Sequence, residues 1–102
     1  MWYISIFDAK ENATQKDIER LREEWLNKGK DQELAKKCHS IERYEVLGKT
    51  PLKVFFIIET DNPNVLNILS RYFGDAWNCI TYPITKREIL EELKEDHTII
   101  GG

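Results

Sequence analysis

Cysteine is scarce in this chain of 102 residues, where Cys38 and Cys79 are the only two. So low and dispersed a count excludes a disulfide scaffold and a CxxC redox or metal motif, and both read as inert, partly buried thiols. Imidazoles are equally few, at His39 and His97. With no HExxH helix and no EF-hand loop either, no metal and no cofactor is expected. Positive charge is also in short supply: 15 Lys and Arg stand against 18 Asp and Glu, a net charge of −3. Binding to phosphate backbones and anionic membranes depends on clustered Lys and Arg, and here they alternate with acids along predicted helices. Nucleic acid and membrane are therefore not expected as partners. No apolar run reaches membrane-spanning length, and the opening Met1 to Phe7 is too short for a signal core and runs straight into Asp8. A reduced cytoplasm is the expected compartment, which makes the glycosylation pattern Asn12-Ala13-Thr14 a coincidence.

What is present, 41% hydrophobic and 32% charged residues, is the ordinary balance of one compact domain. A chain of this size buries only about two thirds of its unfolded surface, so a partner subunit would add a good deal to a modest core.

Trp2 to Phe7 is aromatic and β-branched and reads as a strand, followed by a polar loop from Asp8 to Thr14. Thr14-Gln15-Lys16-Asp17 resembles a capping box with Asp in place of Glu, and Ile18, Leu21, Trp25 and Leu26 then share a helical face that ends near Gly29. Lys30 to Ser40 holds a short helical turn. Ile41 to Leu47 and Leu52 to Thr60 are strands joined by a hairpin at Gly48-Lys49-Thr50-Pro51. Asp61-Asn62-Pro63-Asn64 opens a helix with Val65, Ile68, Leu69 and Tyr72 as its buried face, stopped by Gly74. Trp77 to Ile84 is a strand with Pro83 near its end, as an edge strand permits. Thr85-Lys86-Arg87-Glu88 forms a second capping box, so a further helix carrying Ile89, Leu90 and Leu93 is expected to run to about Glu95.

The order strand, helix, strand, strand, helix, strand with one helix appended is the split βαβ pattern. It predicts an α+β, ferredoxin-like βαββαβ antiparallel sheet with an extra C-terminal helix, over residues 1–96, and a short tail at 97–102. This topology puts the first and third strands at the centre. Those strands are apolar on both faces, Trp2, Ile4 and Ile6 opposing Tyr3 and Phe7, and Val54, Phe56 and Ile58 opposing Phe55 and Ile57. Two helices cover one face of such a sheet, and the other needs a lid, either the third helix or a second copy of the chain. A homodimer is the expectation.

From Cys38 to Leu90 the chain resembles a family of short uncharacterised proteins in the dimeric α/β-barrel superfamily. The residues that carry the likeness are Ile41-Glu42-Arg43-Tyr44, Phe55-Phe56-Ile57-Ile58-Glu59-Thr60-Asp61-Asn62, and Trp77-Asn78-Cys79-Ile80-Thr81-Tyr82-Pro83-Ile84. The resemblance implies a ferredoxin-like fold whose sheets pack face to face in a dimer. It implies no particular reaction, since that superfamily includes cofactor-independent monooxygenases, haem enzymes, isomerases and ligand-binding regulatory domains.

Gly48-Lys49-Thr50 superficially resembles a phosphate loop, but Arg43 stands where the first Gly belongs and the tripeptide joins two strands instead of a strand and a helix. Cys38 and His39 are adjacent in an extended segment, where neighbours point opposite ways, so they do not form a nucleophile and base. His39 is the first candidate acid or base, with a Tyr hydroxyl or an acidic side chain as the alternatives. Tyr3, Tyr44, Trp77 and Tyr82 are candidates for lining a pocket for a small apolar or aromatic ligand. The closing Gly101-Gly102 matches the end of ubiquitin-like modifiers, but those begin with a hairpin and this chain does not, so a frayed end is expected. Three functions stay open: a small-molecule-binding or regulatory domain, a cofactor-independent monooxygenase or isomerase, and a structural interaction protein.

Overall fold

The computed structural model describes residues 1–101. Its elements are β1 (Trp2–Ala9), α1 (Gln15–Asn27), α2 (Lys30–Lys36), β2 (Ser40–Glu45), β3 (Lys53–Glu59), α3 (Asn64–Phe73), β4 (Trp77–Ile84) and α4 (Ile89–Ile100). The strands make one antiparallel sheet in the order β2-β3-β1-β4. That is the ferredoxin-like α+β arrangement, with β1 and β3 central as their two-sided apolar character requires.

Local chemistry sets the boundaries. The Asp17 N–H donates to Thr14 Oγ1 at 3.1 Å while the Thr14 N–H donates to Asp17 Oδ2 at 3.2 Å, so the capping box forms with Asp in the Glu position. The backbone hydrogen bond from Thr14 holds the Asp17 carboxyl below its ordinary pKa. Gly29, at φ 68°, takes the left-handed turn between α1 and α2, and α2 continues over Lys30–Lys36 to bury Leu34.

Register assigns the faces. Ser5 pairs with Phe56 and Thr81, and Phe7 with Val54 and Cys79, so Tyr3, Ser5, Phe7, Val54, Phe56, Ile58, Trp77 and Cys79 face the helices. There they meet Leu21 and Trp25 of α1 and Val65, Leu66 and Leu69 of α3 in one core. The buried side of α3 is rotated from the expected one: Leu66 is buried and Ile68 is about half exposed, because positions 65, 66 and 69 point at the sheet and 68 lies on the flank. Leu26 of α1 is likewise exposed, past the edge of the stripe that buries Leu21 and Trp25.

The appended helix departs most from expectation. Thr85 to Glu88 form no capping box; Glu88 is extended and α4 begins at Ile89. Arg87 instead reaches along the helix to Asp96 at 2.9 Å and to Glu95 at 3.5 Å, an alternative partner set that leaves the box unmade. Residues 97–100, expected in a tail, continue α4, since no breaker intervenes before Gly101, which turns left-handed at φ 67°. Gly102, half of the terminal diglycine, lies outside the described residues. Ile89, Leu90, Leu93, Ile99 and Ile100 are all exposed, so α4 does not serve as the lid of the second sheet face. The molecule spans 55 × 31 × 18 Å.

The core rests on Trp25, whose ring packs on Tyr72 at 5.0 Å and Phe73 at 5.2 Å. Trp25→Ala is expected to lower unfolding free energy by about 3–5 kcal/mol, whereas Leu47→Ala, at a fully solvated hairpin position, should stay within about 0.5 kcal/mol of the parent. Urea denaturation of the two variants checks both, and a Trp25→Ala midpoint equal to that of the parent would contradict this packing.

Candidate functional site

Two helices laid over four strands leave a gap. α1, α2 and α3 lie over one face of the sheet, and an open cavity of about 370 Å³ lies between this layer and the strands, lined by residues of all four. Its walls are aromatic and aliphatic. Phe7, Phe56 and Trp77 come from the sheet, and Trp25 and Phe73 from the helices. Phe7 makes edge contacts with Phe56, Phe73 and Trp77 at 5.5, 6.3 and 6.3 Å, which fixes the ring orientations.

The charged side chains in that lining are Arg22 from α1, Asp31 from α2 and Arg43 from β2. Asp31 Oδ1 accepts the Trp25 Nε1–H at 3.4 Å, and Arg43 Nη1 contacts Glu45 Oε1 at 2.8 Å. Arg22 has no acidic partner among the described residues.

Of the four residues nominated for a pocket, only Trp77 lines this cavity. Tyr3 shares the helix-facing side of the sheet, and its hydroxyl reaches Met1 Sδ at 3.6 Å. Tyr44 and Tyr82 lie on the opposite face, where Tyr44 stacks on Phe55 with centroids 5.2 Å apart and donates to Glu42 Oε2 at 2.6 Å. The four therefore do not converge.

That opposite face is apolar and open. Across the strands Tyr44, Phe55, Ile6 and Ile80 form one row, and Glu42, Ile57, Ile4 and Tyr82 the next, with Trp2 and Ile84 beyond. Ile80 is 55% exposed. The far end closes in the ion pair of Lys53 and Asp8 at 3.7 Å.

His39 stands at the start of β2, outside the cavity lining. Its Nε2 lies 2.7 Å from Asp61 Oδ2, with both side chains largely solvated. The hydrogen bond to Asp61 raises the imidazole pKa, and the reciprocal bond lowers that of the Asp61 carboxyl. Burial pushes the Cys38 and Cys79 thiols up, which keeps them protonated near neutrality and poor as nucleophiles. Among the described residues, no three His, Cys, Asp or Glu side chains are grouped to hold a metal ion, and no helix is long and apolar enough to cross a membrane.

The cavity-lining residues that sequence reasoning missed are chiefly Arg22 and Arg43. A signal existed: Ile18, Arg22, Trp25 and Leu26 recur on one helical face with a cation inside the apolar stripe, and Arg43 shares a strand face with Ile41.

No family model matches the chain, and no curated protein matches it. Among solved structures it is similar to a proposed antibiotic biosynthesis monooxygenase from Deinococcus radiodurans, at 11% identity and a TM-score of 0.50, covering 86% of this chain and 96% of that one. It is similar also to a dimeric ferredoxin-like protein from an uncultured marine organism, at 12% identity and a TM-score of 0.50, covering 86% and 98%. Both likenesses are of fold, and they place the chain in the ferredoxin-like α+β class.

The His39–Asp61 pair yields a pH prediction. The raised His39 pKa contributes stability fully present below the ordinary imidazole value of about 6.5 and lost as pH rises through the raised value. The lowered Asp61 pKa contributes stability that disappears as pH falls through the lowered value. The pair is thus closed between the two. In an NMR titration His39 should show an elevated pKa that returns toward the ordinary value in Asp61→Asn; an unchanged midpoint in that variant would show that the two side chains are not bonded in solution.

Proposed function

We propose that this protein is a homodimeric small-molecule-binding domain that takes an apolar or aromatic ligand between its helical layer and its sheet. The observation that carries the reading is the cavity of about 370 Å³, walled by five aromatic rings and held on rigid elements. Its size and its few polar groups suit a small organic ligand.

The dimer part rests on the open sheet face. Its rows of Ile, Phe, Tyr and Trp are continuous across four strands, and its polar end is internally neutralised by Lys53 and Asp8. A second copy laid face to face covers apolar surface with apolar surface over β1, β3 and β4, with the carboxylates of Glu42 and Glu59 toward the β2 side of the patch. That a ferredoxin-like protein of similar fold is dimeric supports dimerisation. An enzymatic role, such as the monooxygenase named for the other similar structure, has less support in the site. The nominated base His39 is solvated and paired with Asp61 outside the cavity, and the charged cavity residues are two guanidiniums and a carboxylate already holding Trp25.

Native mass spectrometry of freshly purified protein tests both parts together. The expected spectrum shows twice the 12.1 kDa chain mass with a small additional mass from retained ligand. Ile80→Glu, which puts a charge on the open face, should reduce the species to one chain without loss of secondary structure. A monomer in the parent protein would overturn the dimer. A dimer without bound mass that also binds no member of an apolar compound library would overturn the ligand cavity.

A further inference from the structure

The charged residues of the cavity lining, Arg22, Asp31 and Arg43, are all solvent-exposed, and those three are not equivalent. Asp31 is occupied by the Trp25 indole N–H. Arg43 contacts Glu45 through one nitrogen, and a guanidinium carries five N–H donors, so most of its capacity remains. Arg22, exposed on α1, meets no carboxylate among the described residues, so its five N–H donors face water and the cavity.

We propose that the ligand is an aromatic acid, its ring system between Trp25, Phe56 and Trp77 and its anionic group at Arg22 and Arg43. This inference rests on the reading of the cavity as a ligand site and adds the ligand's chemical class. The two cations come from different layers, Arg22 from α1 and Arg43 from β2, so an anion between them is gripped from the helices and the sheet together. A planar guanidinium fork suits a carboxylate or sulfonate, with charge-assisted hydrogen bonds stronger than neutral ones. Beside a neutral ligand the exposed Arg22 keeps its water, whereas an acid gives it a charge-assisted partner. The attraction is local, because the chain as a whole carries a net charge of −3 and repels anions at long range.

The test compares anilinonaphthalene sulfonate with N-phenylnaphthylamine, which shares its ring system and lacks the sulfonate, by fluorescence titration. The parent protein should bind the sulfonate about tenfold more tightly, as one net charge-assisted contact implies. Arg22→Gln and Arg43→Gln should each reduce sulfonate affinity several-fold and leave the neutral probe unchanged, and added salt should weaken only the sulfonate in the parent. Equal affinity for the two probes, or sulfonate binding indifferent to both arginine variants and to salt, would overturn the acid preference while leaving the cavity as a ligand site. Failure of the neutral probe and the sulfonate alike to bind would overturn the cavity reading itself.

Discussion

Everything in this molecule follows from β1 and β3 being apolar on both faces. Their antiparallel pairing, from Trp2 opposite Glu59 to Asp8 opposite Lys53, sets the register for the whole sheet. Because side chains alternate, one register sends Phe7, Val54 and Ile58 to one side and Ile4, Ile6, Phe55 and Ile57 to the other. A slip of a single residue would exchange the faces and place Ser5, which bonds Thr81 Oγ1 at 2.8 Å in the interior, on the outside. The first side is closed by α1 and α3. The second is left open among the described residues.

The coverage of the first side is itself incomplete, and that incompleteness creates the candidate site. α3 lies nearest β4 and buries Val65, Leu66 and Leu69 in the core. Toward β2 the helical layer thins to α2, whose single buried side chain is Leu34. The aromatic walls stand apart there because no large side chain fills the space between Trp25 and Phe56. An unfilled apolar space forgoes dispersion contacts, so a ligand that occupies it raises stability as well as being held. Under the proposed ligand reading, binding and fold stability are coupled through the same residues.

Much of the fold was legible because it depends on alternation and capping, which are local. The two-sided strands, the Thr14–Asp17 box and the left-handed Gly29 needed only neighbouring residues to be recognised. The site was less legible, because which aromatic rings meet across layers depends on helix rotation: a rotation of α3 by less than one residue step of about 100° exchanges Leu66 for Ile68 at the core. Tyr44 and Tyr82 looked like pocket residues by type, yet strand parity sends them to the open face, away from Trp77. The end of the chain misled for a different reason. Thr85 to Glu88 has the residues of a capping box, but Arg87 finds three acids farther along α4, and capping residues act only where the backbone enters the helix.

The central claim is that the sheet's two faces have separate tasks, ligand on one and partner on the other. The three tryptophans report on them independently: Trp2 stands on the open face at 36% exposure, while Trp25 and Trp77 border the cavity at 5% and 8%. Fluorine NMR of protein labelled with fluorotryptophan reads all three at once. Dilution through the dimer dissociation range should move the Trp2 resonance and leave the other two in place, and addition of an aromatic acid should move Trp25 and Trp77 and leave Trp2. A ligand that shifts Trp2 alone, or dilution that shifts Trp25 and Trp77, would contradict the assignment of the two faces.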